Sequence, residues 1–151
     1  MSVPEFTERL WHRTKGDIMK LIVCLDNRNG MLFAGRRQSS DRCLTERICS
    51  MTKDKRLWLS SYSAPLFEGA ANVCVDEDYL QKAQASEYCF AEKDLPAEFI
   101  SGAEEIIVFR WNRHYPADVR FRTEHLQARG KVKTEDFPGN SHENITMEVY
   151  R

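Results

Sequence analysis

Short apolar runs alternate with polar stretches along most of the chain, and Leu21-Ile22-Val23-Cys24-Leu25 is the strongest of them. Its unbroken apolar character reads as a strand covered on both faces, over residues 20–25. Asp26-Asn27-Arg28-Asn29-Gly30 supplies turn chemistry directly after it. Ser40 or Asp41 then caps a helix to about Thr52, with Leu44, Ile48 and Met51 on one stripe. Further strands are expected at residues 56–60, 72–75 and 88–91, and a long one from Glu105 to Trp111. Between them, Ser63 and Pro65 start a helical turn that Gly69 ends, and Asp76 to Ala85 forms a short helix. Residues 119–122, 129–133 and 145–150 read as extended, with turn chemistry at Pro116, Gly130 and Pro138-Gly139. In the last of these, Ile145, Met147 and Val149 alternate with Thr146, Glu148 and Tyr150, the period of a strand. Strand–helix alternation followed by strands in succession predicts an α/β domain. Its single open sheet is mostly parallel, with antiparallel C-terminal strands, flanking helices and residues 20–25 in the interior.

Residues 1–18 stand apart from this pattern. Pro4-Glu5 resembles a helix start, Phe6 and Leu10 share a face, and Gly16 closes the segment. Met19 directly precedes the first strand, so residues 1–18 are expected to be an N-terminal helical appendage, and residues 19–151 the α/β domain. The appendage offers an amphipathic surface for a protein partner.

Composition narrows the classes. A 151-residue chain with 42% apolar and 30% charged residues suits one ordinary globular domain. A formal net charge of −1 supplies no global field for nucleic acid, which is left only local basic patches. No apolar run approaches the roughly 20 residues that span a bilayer, so no membrane partner is expected. The five cysteines, Cys24, Cys43, Cys49, Cys74 and Cys89, are odd in number and include no CxxC pair. That argues against a disulfide framework and for a reducing, cytoplasmic setting, with Cys24, Cys74 and Cys89 buried in strands.

Several segments together resemble dihydrofolate reductase. The stretch from Lys20 to Gly30 looks like that family's opening strand and Asn/Gly loop, and Arg56 to Ser63 like its second strand and following helix start. Tyr115-Pro116-Ala117-Asp118-Val119-Arg120-Phe121 is similar to an aromatic-x-small-Asp-x-x-Phe stretch, and Thr134-Glu135-Asp136-Phe137 and residues 146–151 to the last turn and strand. The resemblance implies a reductase-like fold binding a nucleotide-like ligand. It also implies features that this chain lacks. Where the family has Leu-Pro-Trp before an acidic residue facing the pterin, Arg36-Arg37-Gln38-Ser39-Ser40-Asp41 stands here, with Asp41 close to the acidic position. The family's Gly-Gly pair after a late strand is sought behind Ile106-Ile107-Val108-Phe109, where Arg110-Trp111-Asn112 stands instead. The basic residue at the second strand's helix start is replaced by Ser60-Ser61-Tyr62-Ser63. Weak or no NADPH binding is therefore expected, and no cofactor is assigned. The chain also resembles a group of small bacterial proteins sharing its Arg-Arg-Gln-Ser and Arg-Trp-Asn-Arg segments, some of which carry a ribonuclease Z label. True ribonuclease Z holds two zinc ions with a His-x-His-x-Asp-His cluster, whereas His12, His114, His125 and His142 are scattered here.

Polar groups following the first two strands carry the candidate chemistry. Asn27, Arg36, Arg37, Ser39 and Asp41 follow the first, and Ser61 and Ser63 the second. If both strands run parallel, these groups share one edge of the sheet, where ligands of open α/β sheets bind. The site so formed suits a small anionic or nucleotide-like ligand. The plainer alternative is two solvated loops with helix caps. Arg110 to Tyr115 mixes cations and aromatics and suits either base stacking or a strand end with Trp111 in the core. Asp26 and Asp41 form either an acid/base pair or a turn and a cap. Ser141-His142-Glu143 tempts a triad reading, but adjacency in sequence does not place a base beside a nucleophile, and Ser141 reads better as a loop residue. Cys43, next to Arg42, is a remote candidate for a reactive thiol. The competing classes are an enzyme, as a divergent NADPH-dependent pterin reductase or an RNA-processing hydrolase, and a protein-interaction module.

Overall fold

A computed structural model describes residues 19–151, and the helical segment expected over residues 1–18 lies outside the described residues. Among the described residues ten strands run in chain order: β1 Lys20–Leu25, β2 Gly30–Phe33, β3 Arg36–Arg37, β4 Leu57–Leu59, β5 Val73–Val75, β6 Tyr88–Phe90, β7 Glu105–Arg110, β8 Val119–Arg120, β9 Lys131–Phe137 and β10 Ile145–Tyr150. The α-helices are α1 Arg42–Thr52, α2 Tyr79–Lys82, α3 Ala97–Gly102 and α4 Thr123–Gln127, with a 3-10 turn at Ala64–Phe67.

The main sheet has seven strands in the order β5-β4-β6-β1-β7-β10-β9. The five from β5 to β7 are parallel, and β10 then pairs antiparallel with both β7 and β9. A mostly parallel sheet with antiparallel C-terminal strands is what the apolar pattern predicts. β1 is the middle strand, with Leu21, Ile22 and Val23 fully buried. Alternate side chains of β1 feed two cores. Leu21, Val23 and Leu25 pack with residues of α2, α3 and α4, while Ile22 joins Leu44 and Ile48 of α1. The same alternation holds in β10, where Ile145, Met147 and Val149 are buried.

The expectation of a single sheet is incomplete. A second, three-stranded sheet in the order β3-β2-β8 stands beside the first. Met31 and Leu32 of β2 are buried with Phe121, so the stretch read as a loop closes one core. Arg36-Arg37, expected in a loop before a helix, forms β3 and pairs with Phe33 and Leu32. The helix expected from Asp76 to Ala85 shrinks to α2, because Ala83 turns extended at φ −62°, ψ 135°. Helices α3 and α4 were not expected; at six and five residues they are too short to show a helical period. The extended segment expected at 129–133 is β9, Lys131–Phe137. Cys89 is buried as expected, but Cys24 and Cys74 are only partly so. Among the described residues no helix is long and apolar enough to cross a membrane.

Candidate functional site

Strands β1 and β4 both run parallel to β6, so the segments following all three open on one edge of the sheet. Of the residues expected there, four come together in two clusters.

The first cluster forms around Glu92, which follows β6. Arg37 grips its carboxylate with two bonds, Nε to Oε2 at 2.7 Å and Nη2 to Oε1 at 2.9 Å. The Ser63 hydroxyl, itself buried, donates to Oε1 at 2.7 Å. Tyr62 completes the clamp: its hydroxyl accepts the Arg37 N–H at 3.0 Å, and the guanidinium lies 4.4 Å from the centre of its ring. A forked guanidinium plus a hydroxyl on one carboxylate is an anion-binding arrangement, with the anion supplied by the chain itself.

The second cluster forms around Asp41, which is 4% exposed. As the extended N-cap of α1 it accepts the N–H groups of Cys43 (2.9 Å) and Leu44 (3.3 Å) on Oδ1. The loop before β10 closes on the same carboxylate: the Asn140 and Ser141 N–H groups and the Ser141 hydroxyl all donate to it. His142, also buried, places Nδ1 3.0 Å from Oδ2. Burial alone would raise this carboxyl; the bonds from Asn140, His142 and Ser141 outweigh it and hold Asp41 well below the usual carboxylate range. The far nitrogen of His142, Nε2, lies 3.2 Å from the Ser39 hydroxyl and 3.0 Å from that of Tyr115. Trp111 stacks on the imidazole with ring centres 4.6 Å apart.

Gly139 makes this closure feasible. A Cβ there would stand 2.6 Å from the His142 carbonyl oxygen and 2.8 Å from Asp41 Oδ2. Gly139→Ala is therefore expected to cost about 1–3 kcal/mol, as overpacking against backbone does, and thermal unfolding should show the lowered midpoint.

Arg36, Ser61 and Asn27 are not brought into either cluster. Arg36 is exposed on β3, opposite Phe33. Ser61 is exposed, and its N–H donates to Glu77. Asn27 is exposed in the β1–β2 turn, its N–H donating to the Arg113 carbonyl. Asp26 is a turn residue, not half of an acid/base pair. Its carboxylate accepts the N–H groups of Arg28, Gly30 and Tyr115 and the Gln38 amide, bonds that override burial and lower its pKa. In the Arg110–Tyr115 segment, Trp111 is buried under His142 and Arg110 pairs with Glu148, so neither is free to stack a base. Glu92 was missed, although the rule that flagged the ends of β1 and β4 applies equally to the end of β6.

Between the clusters lies a cavity of about 20 Å³, lined by Cys24, Gln38, Leu44, Leu66 and Phe90 along with Arg37, Ser39 and Glu92. That is room for about one water. Gln38 donates its amide N–H groups to Asp26 and the Pro116 carbonyl, while Gln38 Oε1 is buried without a hydrogen-bond partner among the described residues. Burial and the Glu92 carboxylate push the Cys24 thiol up, away from the thiolate form that a nucleophile needs. Neither strand flanking β1 ends in a glycine pair: β6 leads into Ala91-Glu92 and β7 into Trp111-Asn112.

Dihydrofolate reductase from Enterococcus faecalis, solved with NADP(H) and RAB-propyl, superposes with a TM-score of 0.60 over 91% of this chain and 97% of that one. The fold is that of dihydrofolate reductase. Sequence identity to that enzyme is 12%, so the likeness concerns the reductase fold alone. No protein-family model and no curated protein sequence matches the chain.

Proposed function

We propose that this reductase-fold domain binds a small anionic, nucleotide-like ligand at the edge where β1, β4 and β6 end. The observation that carries this reading is the convergence of Arg37 and Ser63 on the Glu92 carboxylate. Glu92 occupies the place of the ligand's anion and yields it on binding. The closed cavity has room for only about one water, so a planar ring reaches the apolar wall of Leu44, Leu66 and Phe90, and the unpartnered Gln38 Oε1, once Glu92 swings out. The solved neighbour holds NADP(H), a phosphate-bearing nucleotide, in the same fold.

Reduction of folate is the weaker reading. Asp41, near the family's acidic position, spends its carboxylate on α1, on His142 and on the loop before β10, so it does not face a pterin. The ribonuclease Z reading draws no support from the geometry: among the described residues no three His, Cys, Asp or Glu side chains are placed to hold a metal ion. Residues 1–18 are the segment we propose for any protein partner.

A thermal-shift panel of AMP, ADP, inorganic phosphate, NADPH, dihydrofolate and a short RNA tests the reading, since stabilisation grows with ligand concentration over Kd. The mononucleotides are expected to stabilise the domain, without oxidation of NADPH in the presence of dihydrofolate. Stabilisation by RNA alone, or turnover of dihydrofolate, would replace this reading by one of the others.

A further inference from the structure

The polar cluster on the other side of the cavity has an arrangement that anion binding does not use. Ser39 Oγ, His142 Nε2, His142 Nδ1 and Asp41 Oδ2 form one line, with hydroxyl to ring 3.2 Å and ring to carboxylate 3.0 Å. We propose that Ser39 is a nucleophile activated by His142 as base, with Asp41 as a positioning residue, and that the domain cleaves small carboxylic esters.

Asp41 fixes the tautomer of the base. Its carboxyl is ionised across the neutral range, so it is an acceptor only, and the hydrogen of the neutral imidazole lies on Nδ1, facing it. Nε2 is then left with its lone pair directed at Ser39 and Tyr115. The ring cannot turn away, because Trp111 stacks on it and Ser141 touches Nδ1 at 3.2 Å. A base held by a buried carboxylate, within reach of a serine hydroxyl, is the triad relation, recognised by roles rather than by order in the chain. Ser39 is also the member of the line that reaches the cavity without being fully buried. Beside it, Leu44, Leu66 and Phe90 form a wall for an apolar acyl group.

The chemistry balances with water as the co-reactant. Ser39 Oγ bonds to the ester carbonyl carbon as its proton passes to His142 Nε2. The bond from that carbon to the alkoxy oxygen breaks, and His142 returns the proton to the departing alcohol. Water then adds to the acyl-serine with His142 taking its proton, and the carboxylic acid leaves as Ser39 regains its hydrogen.

Tyr115 makes the proposal sharp. Nε2 has one lone pair, and the Tyr115 hydroxyl, at 3.0 Å, competes with Ser39 for it. Removing that hydroxyl leaves the base to Ser39 alone. The closed cavity, about 20 Å³, holds about one water, so an ester must part its lining to reach Ser39, and small probes are used. Diisopropyl fluorophosphate labelling, mapped by mass spectrometry, and p-nitrophenyl acetate hydrolysis are the two readouts. The expected result is a single adduct on Ser39, no adduct in Ser39→Ala, and labelling several-fold faster in Tyr115→Phe. His142→Gln should abolish labelling, with folding checked by circular dichroism. If His142→Gln does not fold, Ser39→Ala and Tyr115→Phe decide alone. No adduct on Ser39 in either folded wild type or Tyr115→Phe, or slower labelling in Tyr115→Phe, overturns the proposal. The anion-binding reading stands or falls separately, in the thermal-shift panel.

Discussion

Asp41→Ala is expected to destabilise the domain by about 3–5 kcal/mol at neutral pH, the range for removing one partner of a buried charged network. Loss of the helix cap alone accounts for about 1 kcal/mol. The remainder comes from donors that lose this acceptor: the part-buried Asn140 and Ser141 N–H groups and Ser141 hydroxyl, and the buried His142 Nδ1. The loop that carries them is packed by the same carboxylate, so it should loosen, and its amides should exchange faster. The pH dependence follows from the lowered pKa of Asp41. A carboxyl whose folded pKa lies below its unfolded value stabilises the fold fully above the unfolded value, about 4. That contribution is lost as the pH falls through the folded value. Wild type should therefore lose stability on acidification below about pH 4, and Asp41→Ala should show a flatter acid limb. Urea unfolding at neutral and acid pH measures both; a neutral-pH loss below about 1 kcal/mol would reduce Asp41 to a simple cap.

Arg37→Ala is expected to act twice. Its side chain is 25% exposed and that of Glu92 9%, so the pair is shielded from water and its loss strands a carboxylate with only Ser63 as donor. A cost of about 2–4 kcal/mol follows, below that of a fully buried pair. Two free loop arginines, as the sequence suggests, would leave stability almost unchanged on removal; that holds for exposed Arg36 and not for Arg37. The second effect is on ligand. Loss of a charge-assisted fork should weaken an anionic ligand by about 1–3 kcal/mol, roughly 10- to 100-fold. Glu92→Gln should do the reverse, because it keeps the shape of the side chain while removing the charge that competes for Arg37. Arg36→Ala should leave affinity within about two-fold once salt screens its exposed charge.

The sheet was legible because its interior strands are apolar without interruption. Leu21 to Leu25 and Ile106 to Phe109 have no polar face, and that pattern belongs to strands covered on both sides. The β2–β3 hairpin was not legible: Gly30-Met31-Leu32-Phe33 is four residues long and abuts Ala34 and Gly35, both at positive φ, so it reads as loop. The site was half legible for a related reason. Arg37, Ser39, Asp41 and Ser63 follow apolar strands, and polar groups there mark the ligand-binding edge of a parallel sheet. Glu92 follows a strand of only three residues, and its role depends on β6 lying between β1 and β4, a matter of topology that no local pattern reveals. His142 reaches Asp41 across 101 positions of sequence, a pairing that no local pattern reveals. That β6 as well as β7 flanks β1, and so is a second strand whose end borders the cleft, is likewise a matter of topology.

The account rests on Arg37 being the anion-binding group and Glu92 its internal competitor. Isothermal titration of AMP into wild type, Arg37→Ala and Glu92→Gln at low ionic strength tests this directly. The predicted order of affinity is Glu92→Gln above wild type above Arg37→Ala, with at least about a ten-fold step at Arg37→Ala. Equal affinity in wild type and Arg37→Ala, weaker binding in Glu92→Gln than in wild type, or no binding to any of the three would contradict it.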